Sequence, residues 1–531
     1  MAKASEVKEK MTIDRRNMLK ALVGGCATAS LTGCLVREQE PGAKGWVPQQ
    51  YDAPSSWPPQ VRGRVPIDPE NPSIARDDRK CVLCGQCIEV CKKIQTVYGS
   101  YALPVKDDFI CIHCGQCTLW CPTGAIVEAD DRTRVLQALK DPTKVVIVQT
   151  APSTRVGLGE EFGMPGGSWV EGQQVAALRR LGFSRVFDTN FAADLTIMEE
   201  GSELIERLTG KSEAPLPQLT SCCPGWVKFV EYYYPEWMPN LSTAKSPQQM
   251  LGAVLKTYYA KKTGIDPRTI FSVSVMPCTA KKFESVRPEF NAAGRYWKND
   301  ALRDIDAVLT VRELALMMKE AGLDFSSLPE ESYDSLLGEG SGAALIFGST
   351  GGVMEAAVRT AYHAVTGQKA PTLAFNLAPV RGLSGVKEAS MDVPGYGKVR
   401  VAVAHGLHNA RTLLDRVKAG TARYDFIEVM SCPGGCIGGG GMPRSSVPPA
   451  DDVRRSRIRS LQIKDAAGTL RESHENQEVK ELYRSFLGRP LSHLSHQLLH
   501  TDYVSRAKHL KVDPQALEEI LAGQVTEASR S

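Results

Sequence analysis

Residues 425–443 read DFIEVMSCPGGCIGGGGMP: a short β-branched run ends at Met430 and a cysteine motif follows at once. Similar runs recur through the middle of the chain as KVVIVQT (144–150), SRVFDT (184–189), IFSVSVM (270–276), DAVLTV (306–311) and VRVAVAH (399–405). Between them, QQVAALRRL (173–181) and TVRELALMMKEAG (310–322) have the apolar spacing of helices. Short strands alternating with amphipathic helices predict a parallel-sheet α/β body. In such sheets the crevice beyond the carboxyl ends of the strands holds the chemistry. Three cysteine motifs fall at or just after predicted strand ends: TSCCPGW (220–226), MPCTAKKFE (276–284) and EVMSCPGGCIGGGGMP (428–443). Four of their five thiols can converge on one buried cubane, which leaves one over. Cys222 and Cys223 are adjacent, so their side chains diverge along the chain and a disulfide between them is strained. One member of that pair has a different task from the other. The competing reading is of unrelated buried cysteines, and their shared placement at strand ends weighs against it.

Upstream, residues 81–91 read CVLCGQCIEVC and residues 111–121 read CIHCGQCTLWC. Each run has the C-x2-C-x2-C-x3-C spacing of a bacterial ferredoxin, in which the fourth cysteine reaches across to the other [4Fe–4S] cluster. The first cluster is expected on Cys81, Cys84, Cys87 and Cys121, and the second on Cys111, Cys114, Cys117 and Cys91. Zinc favours two separated pairs of ligands over two runs of four. His113 lies inside the second run and reads as a satisfied surface histidine. Two such clusters make a wire, so the catalyst lies in the residues that follow.

The bulk composition is that of a globular protein of 531 residues, 42% hydrophobic and 23% charged, with a net charge of +4. That charge is too small to argue for a nucleic-acid partner. No apolar run after residue 40 is long enough for a membrane span. At the N-terminus, DRRNMLKALVGGCATASLTGCLV (14–36) reads as a twin-arginine export signal built on Arg15 and Arg16, with Asp14 and Met18 departing from the usual pattern. Leu31-Thr32-Gly33-Cys34 reads as a lipobox that would place a lipid anchor on Cys34. Ala27-Thr28-Ala29 is a rival cleavage signal that would release a soluble protein. The eight prolines between Pro41 and Pro72 suggest an extended tether. The expected segments are a signal (1–34), a linker (35–72), a ferredoxin-like domain (73–132), a catalytic body (140–450), a wrapping segment (451–510) and a terminal tail (511–531).

The three motifs of the body resemble, in order and nearly letter for letter, the signature motifs of the [FeFe] hydrogenases. The similarity runs over roughly residues 75–510. It implies parallel-sheet α/β lobes around a buried metal cluster, preceded by a bacterial-type two-cluster ferredoxin domain and followed by a helical small-subunit-like tail. It further implies an H-cluster, a [4Fe–4S] cubane on Cys223, Cys278, Cys432 and Cys436. Cys436 would bridge to a two-iron unit carrying CO, cyanide and a dithiolate. Cys222 becomes the proton-relay thiol, followed by Glu200, Ser242 (in NLSTAKS), Glu203 and Arg207 at the surface. Ser153 and Lys281 would hydrogen-bond the cyanides, and Pro152, Gln248, Met276 and Met430 would line the two-iron pocket. Glu200, Glu203 and Arg207 also share one helix face by spacing, which taken alone describes a solvated salt-bridge face.

Gly438 and Met442 depart from the family's third motif, where a larger residue and a glutamine are common. The stretch RESHENQEVKELYRSFLGRPLSHLSHQLLHTDY (471–503) resembles the family's small subunit, with His493, His496 and His500 in structural roles. The expected activity is reversible oxidation of H2 to protons and electrons, with the electrons relayed through two [4Fe–4S] clusters. Export implies H2 uptake outside the cytoplasm, with a c-type cytochrome or membrane carrier as redox partner. The alternative is an H2-sensing or non-catalytic relative, which loss of Cys222 or of the third motif would mark.

Overall fold

The computed structural model describes residues 64–97, 110–371, 381–394, 396–444 and 451–510. The export signal, Cys34 and its rival cleavage site, most of the proline-rich stretch and residues 511–531 lie outside the described residues. No helix among the described residues is long and apolar enough to cross a membrane.

The ferredoxin-like region is framed by β1 (Ile74–Arg76) and β2 (Ile126–Glu128), paired antiparallel with Ile74 opposite Glu128. Its two cysteine runs are wound alike. Leu83 and His113, at the same position in each run, have left-handed backbone, as do Gly85 and Gly115 two residues later. Short helices α1 (Gln86–Glu89) and α2 (Gln116–Trp120) follow directly. Such alternation turns successive N–H groups inward toward negative sulfur. The N–H of His113 accordingly points at Cys111 Sγ (3.3 Å), and that of Val65 at Cys87 Sγ (3.3 Å).

The body contains β3 (Val145–Thr150), β4 (Arg185–Asp188), β5 (Gln218–Leu219), β6 (Ile270–Met276), β7 (Ala307–Thr310), β8 (Val386–Val393), β9 (Gly397–His405) and β10 (Phe426–Met430). They form two four-stranded sheets, in the orders β4-β3-β6-β7 and β5-β10-β9-β8. Every neighbouring pair is parallel except β8 with β9, where β8 closes an edge antiparallel. β3 and β10 are apolar almost throughout because helices cover both faces of a parallel sheet.

The longest helix among the described residues, α3 (Thr189–Leu208), starts directly from β4, where the Asp188 carboxylate accepts the Asn190 N–H and caps it. Most of its surface is buried, including Glu199, Glu200 and Glu203. α4 (Pro224–Tyr233) opens on a proline immediately after Cys223, and α5 (Pro247–Val254) opens on another. Proline suits the first helical turn, where its missing N–H costs nothing. α6 (Ala280–Val286) follows Cys278, and α7 (Gly352–Thr366) lies against α3.

The tail is integral to this core. α8 (Asp451–Ala467) lays Ile458 and Leu461 against Val156, Leu345 and Ile437. α9 (His493–Leu499) inserts Leu498 and Leu499 among Met250, Leu251, Tyr258 and Leu482. Fully burying each such leucine contributes about 1.5–3 kcal/mol. Polar contacts set the register: Glu478 accepts the N–H groups of Leu336, Gly338 and Glu339, and Asn476 donates to Asp194.

Candidate metal centre and proton path

The carboxyl ends of β3, β4, β5, β6 and β10 surround one cavity of about 70 Å³. Its lining includes Cys222 and Cys223 after β5, Cys278 after β6, and Cys432 and Cys436 after β10. Local bonds fix these loops. Thr220 Oγ1 accepts the Val429 N–H (3.2 Å), and the Trp226 indole donates to Thr220 O (3.0 Å). Cys223 Sγ lies 3.1 Å from Ser431 Oγ and takes the Ser431 N–H at 3.4 Å.

All thirteen cysteines of the described residues are free of disulfides. Around the cavity their thiols crowd together. Burial, with neighbouring sulfurs, pushes Cys223 up and Cys436 to about 12. Cys278 goes up mainly through its hydrogen bond to Cys432, and Cys432 goes down through that same bond. Buried thiols repelling one another in this way are relieved when a cationic cluster takes them as thiolates. The donor set fits a cubane on Cys223, Cys278, Cys432 and Cys436.

The ferredoxin cysteines gather in the interleaved sets their spacing predicts. Cys121 joins Cys81, Cys84 and Cys87 around one small cavity. Cys91 comes close to Cys114 and Cys117, and Cys111 comes close to Cys117. The second set also touches the body, and the Cys432 charge joins burial in raising the Cys114 thiol. Gln116 donates to Gly438 O (2.8 Å), Thr118 to Gly440 O (2.8 Å) and Thr279 to His113 O (2.7 Å). A Cβ on Gly440 would sit 2.4 Å from Cys114 O, so glycine lets the two cysteine loops meet.

The other pocket residues fall where expected. Pro152, Ser153, Gln248, Met276, Lys281 and Met430 all line the cavity. Lys281 donates to Cys222 O (3.0 Å) and to Glu284 (3.0 Å). Burial alone would lower its pKa, but the Glu284 carboxylate leads the groups that outweigh this and keep it cationic. Ser153 Oγ has a long contact, 3.4 Å, to Gly348 O. The Gln248 amide is engaged with Ser274, Lys281 O and Glu284, so it braces α6. Met442, the departure in the third motif, is a core side chain whose methyl fills the space beside Gly157.

Cys222 faces the same cavity, apart from the four ligand candidates in role. Burial and then the Glu200 charge push its thiol well above the usual range. It is therefore held as a neutral thiol. Glu200 is buried, and burial with the Glu203 charge raises it to about 8. Neither of its carboxyl oxygens makes a well-formed hydrogen bond; the Ser242 hydroxyl lies near enough to oppose the rise without cancelling it, and the group holds a proton at neutral pH. Glu203 accepts from Ser242 Oγ (2.5 Å), from the Thr243 N–H (3.1 Å) and from the Thr243 hydroxyl. Those donors and His500 hold it ionised against the opposing effect of burial.

Three placements differ from the sequence reading. Arg207 is not at the surface: it is 6% exposed and donates to the carbonyls of Pro215, Pro239, Asn240 and Leu241. A guanidinium so engaged braces a loop, because it does not release a proton in the working pH range. His113 is buried, stacked on Phe283 and bonded to Asn71 (3.1 Å) and Lys228 (2.5 Å). His500 is buried against Glu199 and Glu203, and sequence reasoning gave it only a structural place. The four-residue step from His496 to His500 was visible, but the partner on α3 was not.

Thiols so crowded and so deeply buried have one stable use, the holding of a metal cluster. With the paired cysteine runs against them, they make the molecule an iron–sulfur redox protein. Comparison with known proteins then gives the family. Residues 144–440 match the model of the iron-only hydrogenase large subunit, C-terminal domain, and residues 451–506 that of the iron hydrogenase small subunit. The chain is 49% identical over 454 residues to the NADP-reducing hydrogenase subunit HndD of Solidesulfovibrio fructosivorans, covering 82% of this chain and 75% of that one. It is 51% identical over 370 residues to the periplasmic [Fe] hydrogenase large subunit of Nitratidesulfovibrio vulgaris, covering 69% and 85%. Among solved structures, a variant of apo [FeFe]-hydrogenase HydA1 from Chlamydomonas reinhardtii superposes with a TM-score of 0.63 at 44% identity, covering 71% of this chain and 99% of that one. The chain belongs to the iron-only, or [FeFe], hydrogenases, oxidoreductases that act on H2.

Proposed function

We propose that this hydrogenase works outside the cytoplasm in the direction of H2 uptake, sending electrons outward through two [4Fe–4S] clusters. When bound, the H-cluster would supply the redox chemistry by which H2 gives two protons and two electrons. Cys223, Cys278, Cys432 and Cys436 would hold it, and Lys281 and Ser153 would meet its negative ligands with a cation and a hydroxyl. The Cys222 thiol takes the proton from the site and passes its own toward Glu200. Ser242 then carries a proton on to Glu203.

Electrons leave across the junction where Gln116 and Thr118 bond Gly438 and Gly440, cross the second ferredoxin set and reach the first. The exposed Val82, 63% accessible between Cys81 and Cys84, marks the exit. The uptake direction rests on Arg15, Arg16 and the signal-like stretch after them, and a c-type cytochrome or membrane carrier is the acceptor that location suggests. Cys34 as a lipid anchor would hold the protein to a membrane surface.

The observation that carries the catalytic reading is the division of the cysteine pair, with Cys223 among the ligand candidates and Cys222 beside Glu200 and Lys281. Its test is H2-dependent viologen reduction by anaerobically matured protein, with Cys222→Ala alongside. Rapid reduction that drops roughly a hundredfold or more in the variant at unchanged iron content is the expected result. A wild type carrying its two-iron unit but inert toward H2 sinks the reading and favours the non-catalytic alternative. Cell fractionation tests the location, and a cytoplasmic mature protein removes the basis for uptake.

A further inference from the structure

The tail sends a histidine into the proton path. His500 is 6% exposed and follows α9, where it bridges to Ala244. Its Nε2 lies 3.1 Å from Glu199 Oε2, and its Nδ1 lies 2.8 Å from Thr243 Oγ1 and 3.6 Å from Glu203 Oε1.

Hydrogen-bond counting fixes its charge. The Thr243 hydroxyl spends its one proton on Glu203, so toward His500 it can only accept. Glu199 already accepts from the Tyr483 hydroxyl (2.5 Å) and the Leu491 N–H (2.8 Å), as a carboxylate does. Both imidazole nitrogens thus face acceptors, an arrangement that suits the doubly protonated ring.

The other groups around this site are Glu206 and Arg207 on α3, Tyr503, and His496, whose ring centroid is 4.4 Å from that of His500. Burial alone would depress the pKa of His500, and the two carboxylates instead lift it to about 9.

We propose that His500 is a positioning residue of the proton path: as an imidazolium it keeps Glu203 ionised, so that a proton moving outward from Glu200 through Ser242 meets a base. In that step the Glu200 O–H bond breaks, Ser242 accepts one proton and releases its own, and a Glu203 O–H bond forms. The inference rests on the proton-path reading above. It gives the small-subunit-like tail a part in proton movement besides closing the core.

The test uses His500→Gln, which keeps polar contacts without the charge, and His496→Gln as the neighbouring control. Hydrogen–deuterium difference infrared spectra of the purified protein near neutral pH read the carboxyl groups without turnover. His500→Gln should add a protonated-carboxyl band that disappears again in Glu203→Gln/His500→Gln. In the loaded enzyme, the acid limb of the H2-oxidation profile should move up by at least about one pH unit. KM for H2 and iron content should stay unchanged, and His496→Gln should behave as wild type.

Should glutamine at 500 unseat the tail, Glu199→Gln removes one of the two acceptors and should shift the same limb in the same direction by less. No new band with an unmoved profile overturns the proposal, and so does a uniform loss of rate without the band. A wild type inert toward H2 sinks the functional reading alone, because the infrared result stands on the protein itself.

Discussion

At the residue scale, the cysteine pair shows how adjacent side chains on one backbone come to opposite uses. Cys223 begins the turn into α4 and points among the sulfurs, whereas Cys222 points to Glu200 and the cavity. The sequence made most of this site legible because thiolate spacing is a rigid requirement of iron–sulfur clusters. It did not make Arg207 legible, since helical spacing gives a shared face but not what covers it. Arg207→Ala is expected to lower stability by about 2–4 kcal/mol, from several lost charge-assisted bonds. The H2-oxidation rate per folded molecule should stay close to wild type, and thermal unfolding beside an activity assay checks both. Ser242→Ala, in contrast, should depress the rate per folded molecule as well as lower stability by about 1–3 kcal/mol, through the bonds lost to Glu203 and Ala244.

At the scale of elements, α3 and the tail depend on each other. The parallel strands were readable from their β-branched runs, whereas the tail was readable only by resemblance and not by which of its leucines are buried. The pairing of β5 with β10 was not readable, because β5 has only two residues and its partner lies far along the chain. Leu498→Ala should cost about 2–5 kcal/mol, seen as a lower urea midpoint. His500 adds a pH dependence of defined sign. Its pKa is raised in the folded protein, so its contribution is complete below about 6.5 and is lost as pH rises through about 9. Wild type should therefore lose stability as pH rises from about 7 to about 9.5, with a flatter profile in His500→Gln, as denaturant titrations at each pH will report.

At the scale of the whole molecule, the electron path proposed above makes the wire and the catalyst separable. Cys117 belongs to the ferredoxin set nearest the body, and Cys117→Ser should cut electron flow without touching the cavity. Viologen reduction should then fall steeply, while isotope exchange between H2 and D2O, which needs no net electrons, should persist. Equal loss of both would place the damage in the catalytic centre. The bond between Cys223 and Ser431 joins residues 208 positions apart. A contact that distant in sequence forms late, after a long loop has closed, and chains dominated by such contacts fold slowly. The two-residue β5 adds little local structure to hasten that closure. Assembly of the centre is thus a race between ring closure and competing collapse. Under the export proposed above, in which the chain crosses a membrane already folded, that race must be finished before it leaves.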